Sequence, residues 1–511
     1  MSENIGQFLT RRSERDPHLE ALFEPASGRR FSYAELNGRC NRVGNALRQL
    51  GVSQGDRVAL LMMNGVEFVE SFFAAAKVGA VNVPLNWRLV PDELEFILTD
   101  SGSTVLLYGA EFSENVEILR QRGKTNIKDW IQVGGEPASG SQDYEAWTEA
   151  ASEQEPEASA SGEDLVFLMY TSGTTGLPKG VMHSHDTVFW MTQTMTNTAD
   201  IRFQDRYLNS LPLFHVGALS PVIGCLFRGA SLIIMKAFDP TLTWELIRDE
   251  KITTTLMVPA MLQFMLAVRD PEAHDYSSLR WAMSGAAPVP VTLIHNYLDL
   301  GIEIQQVYGL TETCGPACLS LAGDGREKAG SAGRAFYYSE IRVVREDGTD
   351  TAPGEGGEVW VKGPHIMVGY WKRPEDTAEA IVDGWLHTGD VGIMDEDGCV
   401  TIVDRVKDML ISGGENVYPA EIENVLLGHE KVADAAVIGI PSEKWGESPL
   451  AVIVAGDASL AADELIEFCQ GKLAPFKAVK AVEFVGEIPR NPSGKILKRE
   501  LREQFAYDAS E

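Results

Sequence analysis

Apolar positions along this chain recur with two alternating periods. Over residues 31–50, Leu36, Val43, Ala46 and Leu47 fall at helical spacing, residues 57–62 form a short apolar run that reads as a strand, and 66–78 return to helical spacing. Residues 79–84, 91–98 and 104–108 continue the rhythm, apolar strands set between polar helices, which predicts an alternating α/β layer. The run 165–170 reads as a buried strand and the segment after Ser184 as a helix, so the residues between are expected where a strand yields to a helix. Residues 208–213, 231–234, 253–258 and 279–284 are short, apolar and flanked by turn residues, as strands of a second α/β layer would be. No fixed-period repeat is present.

The text changes beyond Gly354. Residues 357–362, 384–390 and 399–403 read as a β-rich subdomain; after them, 419–427 predict a helix, 435–440 and 449–455 strands, and 463–473 another helix. About a hundred residues follow Lys407, enough for a small α+β domain. The expected organisation is a large domain over 1–406, made of layered α/β subdomains plus the β-rich one, and a small mobile α+β domain over 407–511. Residues 134–164 are rich in Gly, Ser, Ala, Glu and Asp, and 153–162 lack large apolar groups; this stretch reads as an acidic surface connection rather than a domain boundary.

Composition narrows the function. At 511 residues, 44% hydrophobic and 23% charged, the chain is long enough for two or more packed domains. Its net charge of −30, from 44 basic and 74 acidic residues, repels phosphate backbones and argues against a nucleic-acid partner. The first sixteen residues have no long apolar core and no run reaches membrane-spanning length, so the expected location is cytoplasmic. Six cysteines, Cys40, Cys225, Cys314, Cys318, Cys399 and Cys469, are scattered as reduced core thiols would be. Cys314 and Cys318 are close in sequence but lack a second pair or His cluster, which makes metal a poor reading of them.

The densest chemistry lies in Tyr170-Thr171-Ser172-Gly173-Thr174-Thr175-Gly176-Leu177-Pro178-Lys179-Gly180, with four Ser/Thr hydroxyls and three glycines in eleven positions. Glycine lets backbone N–H groups approach a polyanion, hydroxyls add donors and Lys179 adds a point charge, a combination suited to a triphosphate. It is not a Walker loop, because Pro178, Lys179 and Gly180 stand where that motif needs Gly, Lys and Ser/Thr. Partners for a nucleotide must therefore lie elsewhere.

They are found in an ordered set: Pro212-Leu-Phe-His-Val-Gly217, Ser284-Gly-Ala-Ala-Pro288, Tyr308-Gly-Leu-Thr-Glu312, residues 385–390, residues 404–408 and Pro489-Arg-Asn-Pro-Ser-Gly-Lys495. With the glycine-hydroxyl loop these resemble the adenylate-forming superfamily of acyl-CoA synthetases, 4-coumarate-CoA ligases, luciferases and nonribosomal adenylation domains. The resemblance covers nearly the full length. Residues 404–423 and 489–498 look most like bacterial fatty-acyl-CoA synthetases.

The resemblance implies ATP, Mg²⁺ and coenzyme A, and roles for individual residues. Thr171, Ser172, Gly173, Thr174, Thr175, Gly176 and Lys179 would hold the β- and γ-phosphates. Glu312 would hold Mg²⁺ together with Thr174, while the Thr311 hydroxyl meets the α-phosphate; a hard cation bridging phosphates needs little more than one carboxylate from the protein. Gly285, Ala286 and Ala287 would form a low wall against adenine, with Gly309 near and the Tyr308 ring on the other face. Asp390 and Arg405 would meet the ribose. Lys495 would reach carboxylate and α-phosphate during adenylation, where a mobile ammonium offsets two converging anions. Lys407 would be the hinge, and Gly413 and Gly414 would line the pantetheine tunnel in the second half-reaction, with residues 444–447 flanking coenzyme A. His215, Val216, Gly217 and Gly309 would border the acyl pocket, His215 binding substrate rather than exchanging protons. No positioned cation awaits a second carboxylate, so a medium- to long-chain monocarboxylate is expected, an aryl or arylalkenoic acid being the nearest alternative. Transient contact with a membrane surface is compatible with such a substrate. Two rivals are an adenylating enzyme that loads a carrier protein and a non-catalytic acyl- or nucleotide-binding protein; Glu312, Asp390, Arg405 and Lys495 together argue against the latter.

Overall fold

The computed structural model describes residues 4–171, 178–270, 274–321, 323–405, 408–412, 415–442, 446–470, 472–473, 477–490 and 496–505. Its helices begin where local chemistry satisfies their first N–H groups. Ser32 and Glu35 form a reciprocal capping box that starts the Tyr33–Gln49 helix, and Ser184 with Thr187 does the same for His185–Thr198. Residues Pro91, Pro240, Pro259, Pro374 and Pro419 open five others, at the position where the missing proline N–H costs nothing.

Two sheets organise the large domain. In the first, Val81–Pro84, Arg57–Leu61, Val105–Gly109, Asp129–Val133 and Gln142–Asp143 follow Leu165–Thr171 in parallel, while Lys179–Ser184 and Gly369–Tyr370 extend the other edge antiparallel. The second runs Arg334–Ala335, Cys318–Leu319, Ile304–Tyr308, Trp281–Ser284, Thr254–Met257, Arg206–Asn209, Ser231–Ile234, Glu20–Glu24 and Arg29–Ser32. A single core lies between them, built from the apolar faces of Tyr33–Gln49, Val66–Lys77, His185–Thr198 and Val216–Arg228. The outer faces are covered separately, the first sheet by Pro91–Ser101 and Ser113–Arg122, the second by Pro240–Asp249, Pro259–Ala267 and Val291–Asp299. The central parallel strands are buried over most of their length because helices cover both faces, which is why they read as continuous apolar runs.

A third sheet, Glu340–Val344, Gly356–Lys362, Trp385–Met394, Ile381–Val382 and Val400–Arg405, is the β-rich subdomain. A fourth, with Leu410–Ser412, Glu415–Val417, Val432–Ser442, Gly446–Ala455 and Ala481–Phe484, packs helices on two faces around its own cores, as the small α+β domain. Asp404 reaches across to it: its Oδ2 accepts from the Ala420 N–H at 3.2 Å and lies 3.7 Å from Lys498 Nζ.

Three expectations change. The glycine-hydroxyl stretch does not lead into a helix; it joins two antiparallel strands, Leu165–Thr171 and Lys179–Ser184, and the helix starts only at His185. The strand expected over 208–213 ends at Asn209, because Asn64 holds the next residues as a loop, donating to the Leu211 carbonyl at 2.9 Å and accepting from the Leu213 N–H at 2.9 Å. The acidic connection is anchored rather than merely exposed: Glu155 accepts at 2.8 and 2.9 Å from Lys77, a fully buried lysine also ringed by Thr10, Asn37 and Asn41. A buried ammonium needs such a ring of oxygens. Among the described residues, no helix is long and apolar enough to cross a membrane.

Candidate active site

The site gathers at the C-terminal end of the Ile304–Tyr308 strand. Residues 309–315 turn sharply there, and the turn dictates their identities. A Cβ on Gly309 would lie 1.4 Å from the Gly315 carbonyl oxygen, so no other residue fits without moving the backbone. Thr311–Thr313 is a single 3₁₀ turn, closed by the Thr313 hydroxyl, which accepts from the Leu310 N–H at 2.9 Å. Gly309 therefore serves the close approach of two backbone segments. The same holds for Gly285, whose absent Cβ would meet the Val307 carbonyl oxygen at 2.3 Å. Ala286 beside it is exposed and has φ +66°, a left-handed conformation uncommon outside glycine, and Ala287 is half-buried.

From this strand end two contacts reach outward. The Tyr308 hydroxyl donates to Asp390 Oδ2 at 2.7 Å. Asp390 is buried, its N–H donates to the Thr388 hydroxyl at 3.1 Å, and it stands opposite Arg405 in the register of the paired strands. The Arg405 side chain lies outside the described residues. Four positions beyond Tyr308, the Glu312 carboxylate accepts from the Tyr370 hydroxyl at 2.9 Å, and its own carbonyl accepts from the Met367 N–H at 2.8 Å. Burial and the neighbouring Glu312 push the Tyr370 phenol up, so it remains an O–H donor.

The strand that follows the glycine-hydroxyl loop meets the same point. Thr171 and Lys179 face each other across the two strands that hold the loop; Ser172, Gly173, Thr174, Thr175 and Gly176 lie outside the described residues. Lys179 Nζ is 2.7 Å from Asp376 Oδ1 and 5.2 Å from the centre of the Tyr370 ring. His183, two turns of pleat along from Lys179, places Nε2 2.8 Å from the Thr311 carbonyl. A carbonyl only accepts, so Nε2 carries the proton, and burial pushes this imidazole down to about 4, which keeps it neutral. Sequence reasoning missed His183, Tyr370 and Asp376. Each acts through a partner 128, 58 or 197 positions away, a separation that local pattern does not reveal.

His215 caps the Val216–Arg228 helix, its ring 4.4 Å from that of Phe214 and its Nε2 buried without a hydrogen-bond partner among the described residues. Burial pushes it down to about 4, with Arg88 adding to the effect. Val216 is buried; Gly217 is half-buried and faces open space, with nothing within 4 Å of where a Cβ would stand. Pro221 inside this helix removes the N–H that would bond the Gly217 carbonyl. Lys407, Gly413, Gly414 and Lys495 lie outside the described residues.

The residues present suit a magnesium nucleotide. A carboxylate has about four acceptor positions, so the hydrogen bond from Tyr370, the one its side chain accepts among the described residues, leaves Glu312 capacity for a hard cation. Tyr308 and Asp390 combine a flat ring with an acceptor for hydroxyls, as a nucleoside requires.

The model for AMP-binding enzymes matches residues 9–371, and that for their C-terminal domain matches 421–495. The chain is 44% identical to the long-chain-fatty-acid–CoA ligase FadD13 of Mycobacterium tuberculosis over 506 residues, covering 99% of each. It is 40% identical to a feruloyl-CoA synthase of an Amycolatopsis species, again covering 99% of each. The solved structure of the anthranilate CoA ligase AuaEII in complex with anthranoyl-AMP superposes with a TM-score of 0.91 at 30% identity, covering 99% of this chain and 98% of that one.

Proposed function

The chain belongs to the AMP-binding enzyme family, and on that premise we propose that it activates a medium- to long-chain fatty acid as its acyl-adenylate and transfers the acyl group to coenzyme A. It is an AMP-forming acid–thiol ligase using ATP, Mg²⁺ and coenzyme A. In the first step a carboxylate oxygen bonds to the α-phosphorus and pyrophosphate leaves; in the second the thiol sulfur bonds to the acyl carbon, AMP leaves, and the thiol proton passes to solvent.

One observation carries the reading: the strand end Tyr308–Glu312 joins the hydrogen-bonded Tyr308–Asp390 pair, suited to a nucleoside, to the Glu312 carboxylate, whose Tyr370 partner pairs with the strand that follows the glycine-hydroxyl loop. Asp390 would accept from ribose hydroxyls with Arg405 donating, and Thr171, the loop 172–176 and Lys179 would hold the departing phosphates. Mg²⁺ held by Glu312 and Thr174 would neutralise charge on the triphosphate. Thr311 would steady the α-phosphate and Lys495 would offset charge at the reacting centre. His215, neutral through the physiological range, offers a polar edge without a charge, which supports a substrate-binding role. Gly413 and Gly414 would admit pantetheine after the domain 407–511 turns about Lys407 relative to 1–406. Six free, buried cysteines support a reducing, cytoplasmic setting.

The test is a panel of aliphatic and aryl acids, scored for pyrophosphate release and for CoA thioester by mass. Preference for aliphatic acids supports the reading; strongest turnover of feruloyl-type acids moves the chain to the aryl alternative, a reading that the 40% identical relative makes worth the arm. Thioester found on a carrier protein but not on coenzyme A, or no acid-dependent pyrophosphate at all, rejects it.

A further inference from the structure

Glu312 sits on a turn of three residues, too short to orient its own side chain. Its neighbours do so instead. The Thr311 carbonyl is held by His183 and the Glu312 carbonyl by the Met367 N–H, both at 2.8 Å, which leaves the carboxylate direction to be set by its side-chain partner. Among the described residues that partner is the Tyr370 hydroxyl, at 2.9 Å. Tyr370 is itself fixed: its N–H donates to the Thr377 hydroxyl at 2.9 Å, and it pairs with Val181 at the edge of the first sheet. Its ring meanwhile lies 5.2 Å below Lys179 Nζ. One side chain thus contacts both the Glu312 carboxylate and the Lys179 ammonium.

We propose that Tyr370 is a positioning residue that aims the Glu312 carboxylate and thereby sets how tightly the enzyme holds a divalent cation with its triphosphate. This rests on Glu312 as the metal ligand. The geometry separates two functions of the ring: Tyr370→Phe removes the O–H from Glu312 but keeps the aromatic face beneath Lys179.

The decisive measurement is Mn²⁺ binding in the presence of a non-hydrolysable ATP analogue, read by electron paramagnetic resonance with no carboxylic acid present, so that no turnover contributes. Y370F is expected to weaken Mn²⁺ binding roughly tenfold, the effect of losing one hydrogen bond to a charged acceptor. CoA thioester formation from synthetic acyl-AMP, which needs no triphosphate, should stay within about twofold of the parent enzyme. In a double-mutant cycle, Y370F should add little once Glu312→Gln is present. Parent-like Mn²⁺ binding in Y370F with weakened binding in E312Q overturns the role of Tyr370 and leaves Glu312 standing. Parent-like binding in E312Q overturns both. Equal losses in both half-reactions, or additive losses in the double variant, also overturn it, since they mark a general structural role. Should Y370F melt below assay temperature, Thr377→Val decides: it loosens Tyr370 without touching Glu312, and unchanged Mn²⁺ binding there overturns the proposal.

Discussion

Lys179 does not wait unpaired for a triphosphate. It lies 2.7 Å from Asp376 Oδ1, so phosphate must displace a carboxylate from the ammonium or share it. Both side chains are about 30% exposed, 28% and 31%, and a pair so placed contributes about 0.2–1 kcal/mol. We predict that Asp376→Asn tightens binding of a non-hydrolysable ATP analogue with Mg²⁺ about two- to fivefold by calorimetry, because the competitor is gone and a like charge leaves the phosphate path. Unchanged or weaker binding would count against the competition and make Asp376 a support for Lys179 instead. Sequence brought Lys179 to notice through its loop of hydroxyls and glycines, and Glu312 and Asp390 through the resemblance that their motifs carry. Asp376 lies in an ordinary charged helix start, Pro374–Ala380, and only the strand pairing of Gly369–Tyr370 with Lys179–Ser184 carries that helix to the lysine.

At the scale of elements, periodicity found most strands and helices, and the helix over Pro419–Leu427 coincides with its expected bounds. It failed where a distant polar side chain competes for backbone groups, as Asn64 does at residues 211–213, and where a six-residue strand, Lys179–Ser184, was too short and too mixed to separate from the helix it precedes. The Val216–Arg228 helix shows a third kind of gap. Sequence reading places no helix here, and it sets Gly217 and Gly309 together at the pocket border, whereas Gly217 in the first turn of the helix faces open space and Gly309 lies against the Gly315 carbonyl. This difference is testable. Replacing Gly217 by Val puts its Cβ into that space with nothing within 4 Å, and removing glycine from a helix favours folding by about a few tenths of a kcal/mol, so the melting temperature should hold. If the space belongs to the acyl pocket, kcat/KM should fall at least about tenfold for the longest acids and change little for the shortest, as a filled hydrophobic pocket requires. A uniform change across chain lengths would place the acyl chain elsewhere.

For the molecule as a whole, acid stability is set by which groups must take up protons on unfolding. His183, His185, His215 and His365 are each pushed down to about 4, with burial the leading cause in every case. An unfolded imidazole titrates near 6.5. As pH falls below that value the unfolded chain binds protons that the folded chain refuses, so each buried histidine withdraws stability from about pH 6.5 downward until about pH 4, where the folded groups titrate too. The cost is on the order of 1 kcal/mol per histidine for each pH unit, several kcal/mol over four groups, against a usual total of about 5–15 kcal/mol. Two effects oppose this: burial pushes the Glu70 carboxyl up to about 7, so the folded chain gains there as pH falls, one group against four, and acidification relieves self-repulsion in a chain of net charge −30. Relief of self-repulsion requires carboxylates to protonate, and most do so nearer pH 4, at the lower end of the window in which the histidines act. The histidines should therefore win between about pH 6.5 and 5. Urea midpoints measured at intervals across that range, with unchanged m-values, are predicted to fall steadily with acidification; midpoints that stay level or rise would mean that these imidazoles are protonated inside the fold or that it opens to let them titrate.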